Sequence, residues 1–78
     1  MNKMIIGENA GKVWRFLSDQ AGRKCEFHEI GSALQLADCV LAAAIGWLAR
    51  EDKVEFEFVQ QKDGTERTYV YLMPNVYF

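Results

Sequence analysis

The residues best suited to chemistry are two cysteines and one histidine, and their spacing meets the needs of a site only in part. Cys25-x-x-His28 with Cys39 offers three zinc ligands, but a structural zinc site nearly always has four, and no Cys-x-x-Cys pair is present. Cys39 with His28 also suggests a nucleophile and its base, but Asp38 beside the thiol opposes its ionisation. We therefore predict no metal site and no catalytic cysteine.

Two further patterns resemble catalytic motifs without meeting their requirements. Residues 4–13 resemble a phosphate-binding loop, but the glycines are one residue too close, and Val13 replaces the Ser or Thr that binds Mg²⁺. Glu55 and Glu57 lie on one face of a predicted strand, but a two-stranded hairpin offers no cleft for paired-carboxylate chemistry. The sequence predicts no enzyme activity, no cofactor and no small-molecule substrate.

Composition limits the class of protein. The chain has 78 residues, a net charge of −2, 50% apolar and 26% charged residues, which indicates one globular domain over residues 1–78. Two cysteines are too few for a disulfide scaffold, so we expect a reduced, cytoplasmic setting. The longest nearly apolar run, Cys39–Ala49, is about half of the ~20 residues that a membrane span needs, and no signal-peptide pattern precedes it.

Three helices are predicted from apolar residues at helical spacing. The first covers about Ala10–Gln20, with Asn9 as its N-cap and Gly22 as the left-handed residue after it. The second begins near Glu29, and the third runs from a capping Asp38 to about Glu51. Their predicted buried stripes are Ala10, Val13, Trp14 and Leu17; Phe27, Ile30 and Leu34; and Leu41, Ile45 and Leu48.

The apolar period then changes to two, which predicts a β-hairpin. Val54–Val59 and Thr68–Leu72 are the expected strands, and Asp63-Gly64 indicates a two-residue turn. That turn would place Phe58 opposite Tyr69 and Phe56 opposite Tyr71. Three helices followed by a hairpin form the α+β outline of a winged helix-turn-helix domain, to which a short strand near Cys25–Phe27 could add.

Two segments carry a resemblance to a known family. Residues 6–14 (IGENAGKVW) and 44–54 (AIGWLAREDKV) resemble the two signatures of a family of small stand-alone prokaryotic winged helix-turn-helix domains of unknown function. The resemblance implies the fold and no activity. Asp52 stands where glycine is expected after helix 3, and Gln35 stands where a helix-turn-helix usually has glycine in its turn.

The predicted DNA-facing surface is poor in DNA-binding residues. Helix 3 usually enters the major groove, but its exposed face here has no long polar side chain before Arg50. Residues 1–25 carry five basic and two acidic groups, whereas residues 26–78 carry four basic and nine acidic groups. A DNA-binding regulator is therefore our alternative hypothesis, with contacts from Lys12, Arg15, Arg50, Lys62 and Arg67.

The favoured hypothesis is a non-catalytic module that binds itself or another protein. The exposed face of helix 3 is rich in small residues, and Trp47 is a candidate for partly exposed apolar area. The last residues, Val76, Tyr77 and Phe78, are apolar where termini usually are not. This tail could instead fold back onto its own core.

Overall fold

The structure, a computed structural model, describes residues 2–73. Three helices are followed by a hairpin, and a two-residue strand lies between the first two helices. The elements are α1 (Lys3–Asp19), β1 (Cys25–Glu26), α2 (Phe27–Leu34), α3 (Asp38–Arg50), β2 (Val54–Gln60) and β3 (Glu66–Leu72). The three strands form one antiparallel sheet in the order β1-β3-β2. The predicted α+β fold and the short strand near Cys25 are confirmed.

The first helix begins seven residues earlier than predicted. Asn2, not Asn9, is its N-cap, and the Asn2 side chain accepts a hydrogen bond from the backbone N–H of Ile5 at 2.9 Å. Asn9 is buried within the helix. The buried stripe contains Ala10, Val13 and Leu17 as expected, but Trp14 lies at its margin and is 43% exposed.

The turn between α2 and α3 uses a left-handed residue that is not glycine. Gln35 has φ +56°, and the N–H of Leu36 donates to the carbonyl of Gly31 at 3.0 Å. The α2 helix begins two residues before Glu29, because Glu26 caps it. The predicted cap of α3 is wrong, since Ala37 occupies the N-cap without a side-chain hydrogen bond and Asp38 is the first helical residue.

The hairpin register differs from the predicted one by a single residue. Phe58 lies opposite Thr68 and Phe56 opposite Val70, so the predicted pairs with Tyr69 and Tyr71 are wrong. Because successive side chains alternate between the two faces of a sheet, the phenylalanines and the tyrosines lie on opposite faces.

A longer turn explains the shift in register. The N–H of Gln61 donates to the carbonyl of Thr65 at 2.7 Å, and the N–H of Gly64 donates to the carbonyl of Gln61 at 3.1 Å. Only Gly64 has a positive φ in this loop (+90°), which is typical of a three-residue turn and not of the two-residue turn that needs two such residues. The Asp63 carboxylate accepts from the N–H of Thr65 at 3.0 Å.

The core lies between the helices and one face of the sheet. Its buried members come from every element: Ala10, Val13, Leu17, Cys25, Ile30, Leu41, Ala44, Ile45, Leu48, Val54 and Val70. The predicted α3 stripe is therefore confirmed. Within residues 2–73 no single helix is long and apolar enough to cross a membrane, and only α2 and α3 together, bent by 110°, satisfy such a test of length and composition.

Candidate functional site

An apolar groove lies between α3 and the hairpin, and we call it the wing groove. It has a volume of about 410 Å³. Phe58 is 64% exposed on one wall, and its ring stacks on Phe56 with centroids 6.3 Å apart. The lining residues are Phe27, His28, Ala42, Ile45, Gly46, Phe56, Phe58 and Thr68.

The wing groove includes the part of α3 that winged-helix proteins usually present to DNA. Ala42 and Gly46 are the α3 residues at its exposed surface. They offer no hydrogen-bonding side chain for a base edge, and no Lys or Arg belongs to the residues that line the groove. The groove is therefore chemically suited to apolar side chains.

A second apolar surface, the tryptophan cleft, lies between α1 and the end of α3. Its volume is about 320 Å³, and it is lined by Gly7, Ala10, Gly11, Trp14, Trp47, Leu48 and Lys53. Trp47 is 44% exposed, as the sequence predicted, and the unexpectedly exposed Trp14 lies in the same cleft. The other predicted members of this surface, Val76, Tyr77 and Phe78, lie outside the described residues.

The five candidate DNA-contacting cations are spread over four elements or loops. Lys12 and Arg15 lie on α1 in a shallow pocket that also contains Asp19 and Leu34. Arg50 is the last residue of α3, and Lys62 is in the hairpin loop. None of these lines the wing groove.

Arg67, the fifth cation, is held on the outer face of the sheet. Its Nη1 lies 3.8 Å from Oε1 of Glu26. Arg67 shares this face with Tyr69 and with Glu57, because residues two apart on a strand point the same way. It therefore points away from the wing groove.

The rim of the wing groove near α2 is organised by Glu26. Its Oε2 accepts hydrogen bonds at 2.9 Å from the backbone N–H of His28 and from Nδ1 of that ring. Burial alone would raise the pKa of Glu26, but the hydrogen bonds from His28 outweigh it and lower the pKa below its ordinary value. Glu26 thus caps α2 as an anion and positions His28 at the groove.

Neighbouring charges support the same helix start. Glu29 completes the capping box by accepting from the N–H of Glu26 at 3.3 Å. Arg23 donates to Oε2 of Glu29 at 2.8 Å, and this hydrogen bond lowers the pKa of Glu29 and raises the pKa of Arg23. This exposed pair adds little stability by itself.

The two cysteines and the histidine lie in three different environments. Cys25 is fully buried in β1, and burial raises the pKa of its thiol. Cys39 is exposed in the first turn of α3. His28 interacts with Glu26 and, at 3.8 Å, with Oδ2 of Asp38. In the described part of the chain, no three His, Cys, Asp or Glu residues cluster as a metal site would require.

Sequence reasoning missed the most exposed aromatic residue of the hairpin. Phe58 was paired with a tyrosine in the predicted register, so it counted as cross-strand packing. The correct loop length moves the tyrosines to the other face and leaves Phe58 beside Thr68. The signal available in the sequence was Asp63-Gly64, which fits both a two-residue turn and a three-residue turn with glycine last.

Helices α2 and α3, joined through a tight turn and followed by a β-hairpin beside α3, define a winged helix-turn-helix domain. The family described as "Winged helix-turn-helix domain (DUF2582)" matches residues 1–72, and the chain belongs to this family. The family resemblance seen in residues 6–14 and 44–54 is thereby confirmed.

A solved structure supports the same assignment. The chain is similar to the solution NMR structure of protein BT2368 from Bacteroides thetaiotaomicron, with 39% sequence identity and a TM-score of 0.70. The match covers 92% of this chain and 79% of that chain. A comparison with curated proteins finds no match.

Proposed function

We propose that the domain is a non-catalytic winged-helix interaction module that binds a protein chain, a second copy or another protein, through the wing groove. One observation carries this proposal: the surface that would face DNA in this fold is an apolar groove with an exposed phenylalanine. Phe58 is nearly two-thirds exposed, and a domain of this size has little apolar area to spare from its core.

Charge also favours a protein partner over DNA. Binding to DNA draws its affinity from cations that neutralise phosphates. Ala42 and Gly46 supply none on the α3 face, and Arg67 lies beside Glu26. The region of residues 26–78, which contains α3 and the hairpin, carries an excess of five acidic groups, nine against four basic.

Solution mass and a DNA titration together test the proposal. Light scattering from about 10 µM to about 1 mM should give a mass that rises with concentration for the wild-type chain. The range is high because a small apolar interface associates only weakly. Phe58→Ser should reduce this rise, and Trp47→Ser serves as a matched control on the other apolar surface.

The DNA arm uses random duplex DNA at low salt, observed through backbone amide shifts. We expect no shifts in α3 or the hairpin. Shifts there that weaken steeply with added salt would contradict the proposal and support a DNA-binding regulator that uses Lys12, Arg15, Arg50, Lys62 and Arg67.

The tail and the domain limits belong to the same proposal. We infer that residues 1–78 act as one domain, which the family match over residues 1–72 supports, and that it works in the cytoplasm, which fits the exposed free thiol of Cys39. We also propose Val76–Phe78 as a second contact surface, and a lower solution mass for Trp47→Ser would add Trp47 to it. Deletion of residues 76–78 should lower the solution mass if this tail contributes, and an unchanged mass would remove the tail from the proposal.

A further inference from the structure

The hairpin leaves one strand edge unpaired. β2 is the outer strand of the sheet, so one of its sides has no neighbouring strand within residues 2–73. Two hydrogen bonds show which residues of this segment direct their backbone groups toward β3 and which direct them toward the open edge. Met73 N–H donates to Lys53 O at 3.0 Å, and Gln61 N–H donates to Thr65 O at 2.7 Å. Positions 53 and 61 therefore face β3.

The backbone groups of the intervening residues alternate in direction. Odd-numbered residues of β2 direct their N–H and C=O groups toward β3, and even-numbered residues direct theirs toward the open edge. The residues with outward-facing backbone groups are Val54, Phe56, Phe58 and Gln60, which include two of the three phenylalanines that line the wing groove.

This edge has few of the features that normally prevent strand addition. Its seven residues, VEFEFVQ, form a regular strand with one partner residue at each position, and contain no proline and no lysine. Proteins commonly blunt exposed edges with such residues or with bulges. The only charges in β2 are Glu55 and Glu57, whose side chains lie on the sheet face opposite Phe58.

We propose that a second copy of the chain adds to this edge, with β2 pairing antiparallel to the partner's β2 about a two-fold axis at Glu57. The inference rests on the proposed function and names its partner and its contact. The register follows from geometry. Only pairs of even-numbered residues bring outward-facing groups together, and Glu57 is the central residue of Val54–Gln60, so this axis uses the full strand.

In this register Phe56 lies opposite the partner's Phe58, and Val54 lies opposite the partner's Gln60. Four such pairs exchange about eight backbone hydrogen bonds. The aromatic residues of both copies share one face, where cross-strand aromatic pairs are favourable. The two wing grooves thereby meet at one patch of four phenylalanines, two from each copy, and their most exposed side chains become covered.

Charges at the ends of the paired strands are complementary. Lys62 follows one end of β2 in the hairpin loop and Asp52 precedes the other end, so the antiparallel pairing brings Lys62 to the same end as the partner's Asp52, and the two-fold axis repeats this at the other end. Both side chains belong to exposed residues, so they guide the orientation of the two copies more than they strengthen the complex.

One contact opposes the pairing, because Glu57 lies beside the partner's Glu57. In its own chain each Glu57 is held by Lys24, with Nζ 2.6 Å from Oε2, which offsets the like-charge repulsion between copies. An interface one strand wide is small, so we expect a dissociation constant on the order of 100 µM. Glu57→Gln should tighten the dimer, since it removes a like-charge pair.

A cysteine placed on the two-fold axis tests the register. Glu57→Cys in a Cys39→Ser background should form a disulfide-linked dimer under mild oxidation, because directly opposed residues in a non-hydrogen-bonded pair have Cα atoms about 4.5 Å apart. Glu55→Cys in the same background is the matched control, since its counterpart in the partner lies about four residues, or ~13 Å, along the strand.

Equal cross-linking of the two variants, or none at either position, would overturn the β2 pairing. This failure is separate from failure of the proposed function. A concentration-dependent mass without selective cross-linking at position 57 leaves a protein-binding module with a different contact, whereas salt-sensitive DNA shifts in α3 contradict the function itself.

A proline at the edge provides a second, independent test. The N–H of Phe58 points to the open edge, so Phe58→Pro removes no hydrogen bond of the hairpin but blocks strand addition. Phe58→Ala removes the same aromatic ring and keeps the N–H. We expect Phe58→Pro to abolish the rise in solution mass and Phe58→Ala only to weaken it. Equal behaviour of two variants that both keep a folded circular-dichroism spectrum would contradict edge pairing.

Discussion

The wing groove and the tryptophan cleft are both apolar and similar in size, but their aromatic residues are supported differently. Trp14 and Trp47 lie at the junction of two packed helices, and each is more than half covered. Phe58 stands on the outer strand of a hairpin, is mostly uncovered, and lies next to backbone groups that have no strand partner among residues 2–73. The difference teaches that a half-exposed aromatic residue at a helix junction can serve stability, whereas an exposed one on an open edge is available for binding.

Trp47→Ala is the strongest test of this difference between the tryptophan cleft and the wing groove. We expect this change to lower the free energy of unfolding by about 2 kcal/mol, roughly half the cost at a fully buried tryptophan, and to leave the solution mass unchanged. Urea unfolding measures the first quantity and light scattering the second. An unaffected unfolding free energy with a lowered mass would make Trp47 a contact residue, as the sequence first suggested.

Glu26→Ala should have the next largest effect, because it removes the cap of α2 at the rim of the wing groove. We expect a loss of about 1 kcal/mol in the free energy of unfolding at neutral pH. Thermal and urea unfolding of both chains measure it.

The same carboxylate predicts a pH dependence. The pKa of Glu26 is lowered in the folded chain, so its ionised form contributes stability that is fully present above the ordinary carboxyl pKa. That contribution is lost as the pH falls through the lowered value. The difference in stability between wild type and Glu26→Gln should therefore shrink in acid, and a constant difference from pH 7 to pH 2 would contradict this role.

Gln35→Gly tests the turn between α2 and α3, which supports the wing groove without lining it. Gln35 holds a left-handed conformation (φ +56°), which costs a residue with a Cβ more than it costs glycine. We expect an increase of about 0.5 kcal/mol in the free energy of unfolding, since the greater freedom of glycine in the unfolded chain offsets part of the gain. Asp52→Gly, at the other left-handed helix end (φ +57°), should give a smaller increase, because Asp tolerates this conformation better.

Phe58→Ala should change stability least, by less than about 0.5 kcal/mol, as expected for a largely exposed side chain. Its effect should appear in the solution mass, which is the reverse of the result expected for Trp47→Ala. A large loss of stability with an unchanged mass would place Phe58 among the residues that support the core.

The helical part of the fold was predictable because its signals are local. The apolar period of Leu41, Ile45 and Leu48 predicted the buried face of α3, and the structure confirms it. The two positions noted for lacking glycine, Gln35 and Asp52, are left-handed in the structure. The expectation of glycine at these two positions therefore indicated the left-handed backbone correctly, although Gln and Asp occupy them.

The remaining errors have physical causes. The start of α1 was predicted at Ala10 because Asn9 is a favourable N-cap residue. Gly7 disfavours a helix before that point, but packing on α3 stabilises the longer helix. The wing groove was not predicted because the hairpin loop is one residue longer than expected. The extra residue places Tyr69 and Tyr71 on the sheet face opposite to Phe56 and Phe58. Local sequence does not decide between these loop lengths.

The short strand β1 also contains a buried thiol whose labelling rate can report local opening of the domain. The strand β1 links the segment between α1 and α2 to β3, since Cys25 pairs with Val70, and the Cys25 thiol is fully buried. In a Cys39→Ser chain, a thiol reagent can modify Cys25 only when this junction separates. The labelling rate, compared with the global unfolding rate, reports whether β1 leaves β3 alone or only when the whole domain unfolds.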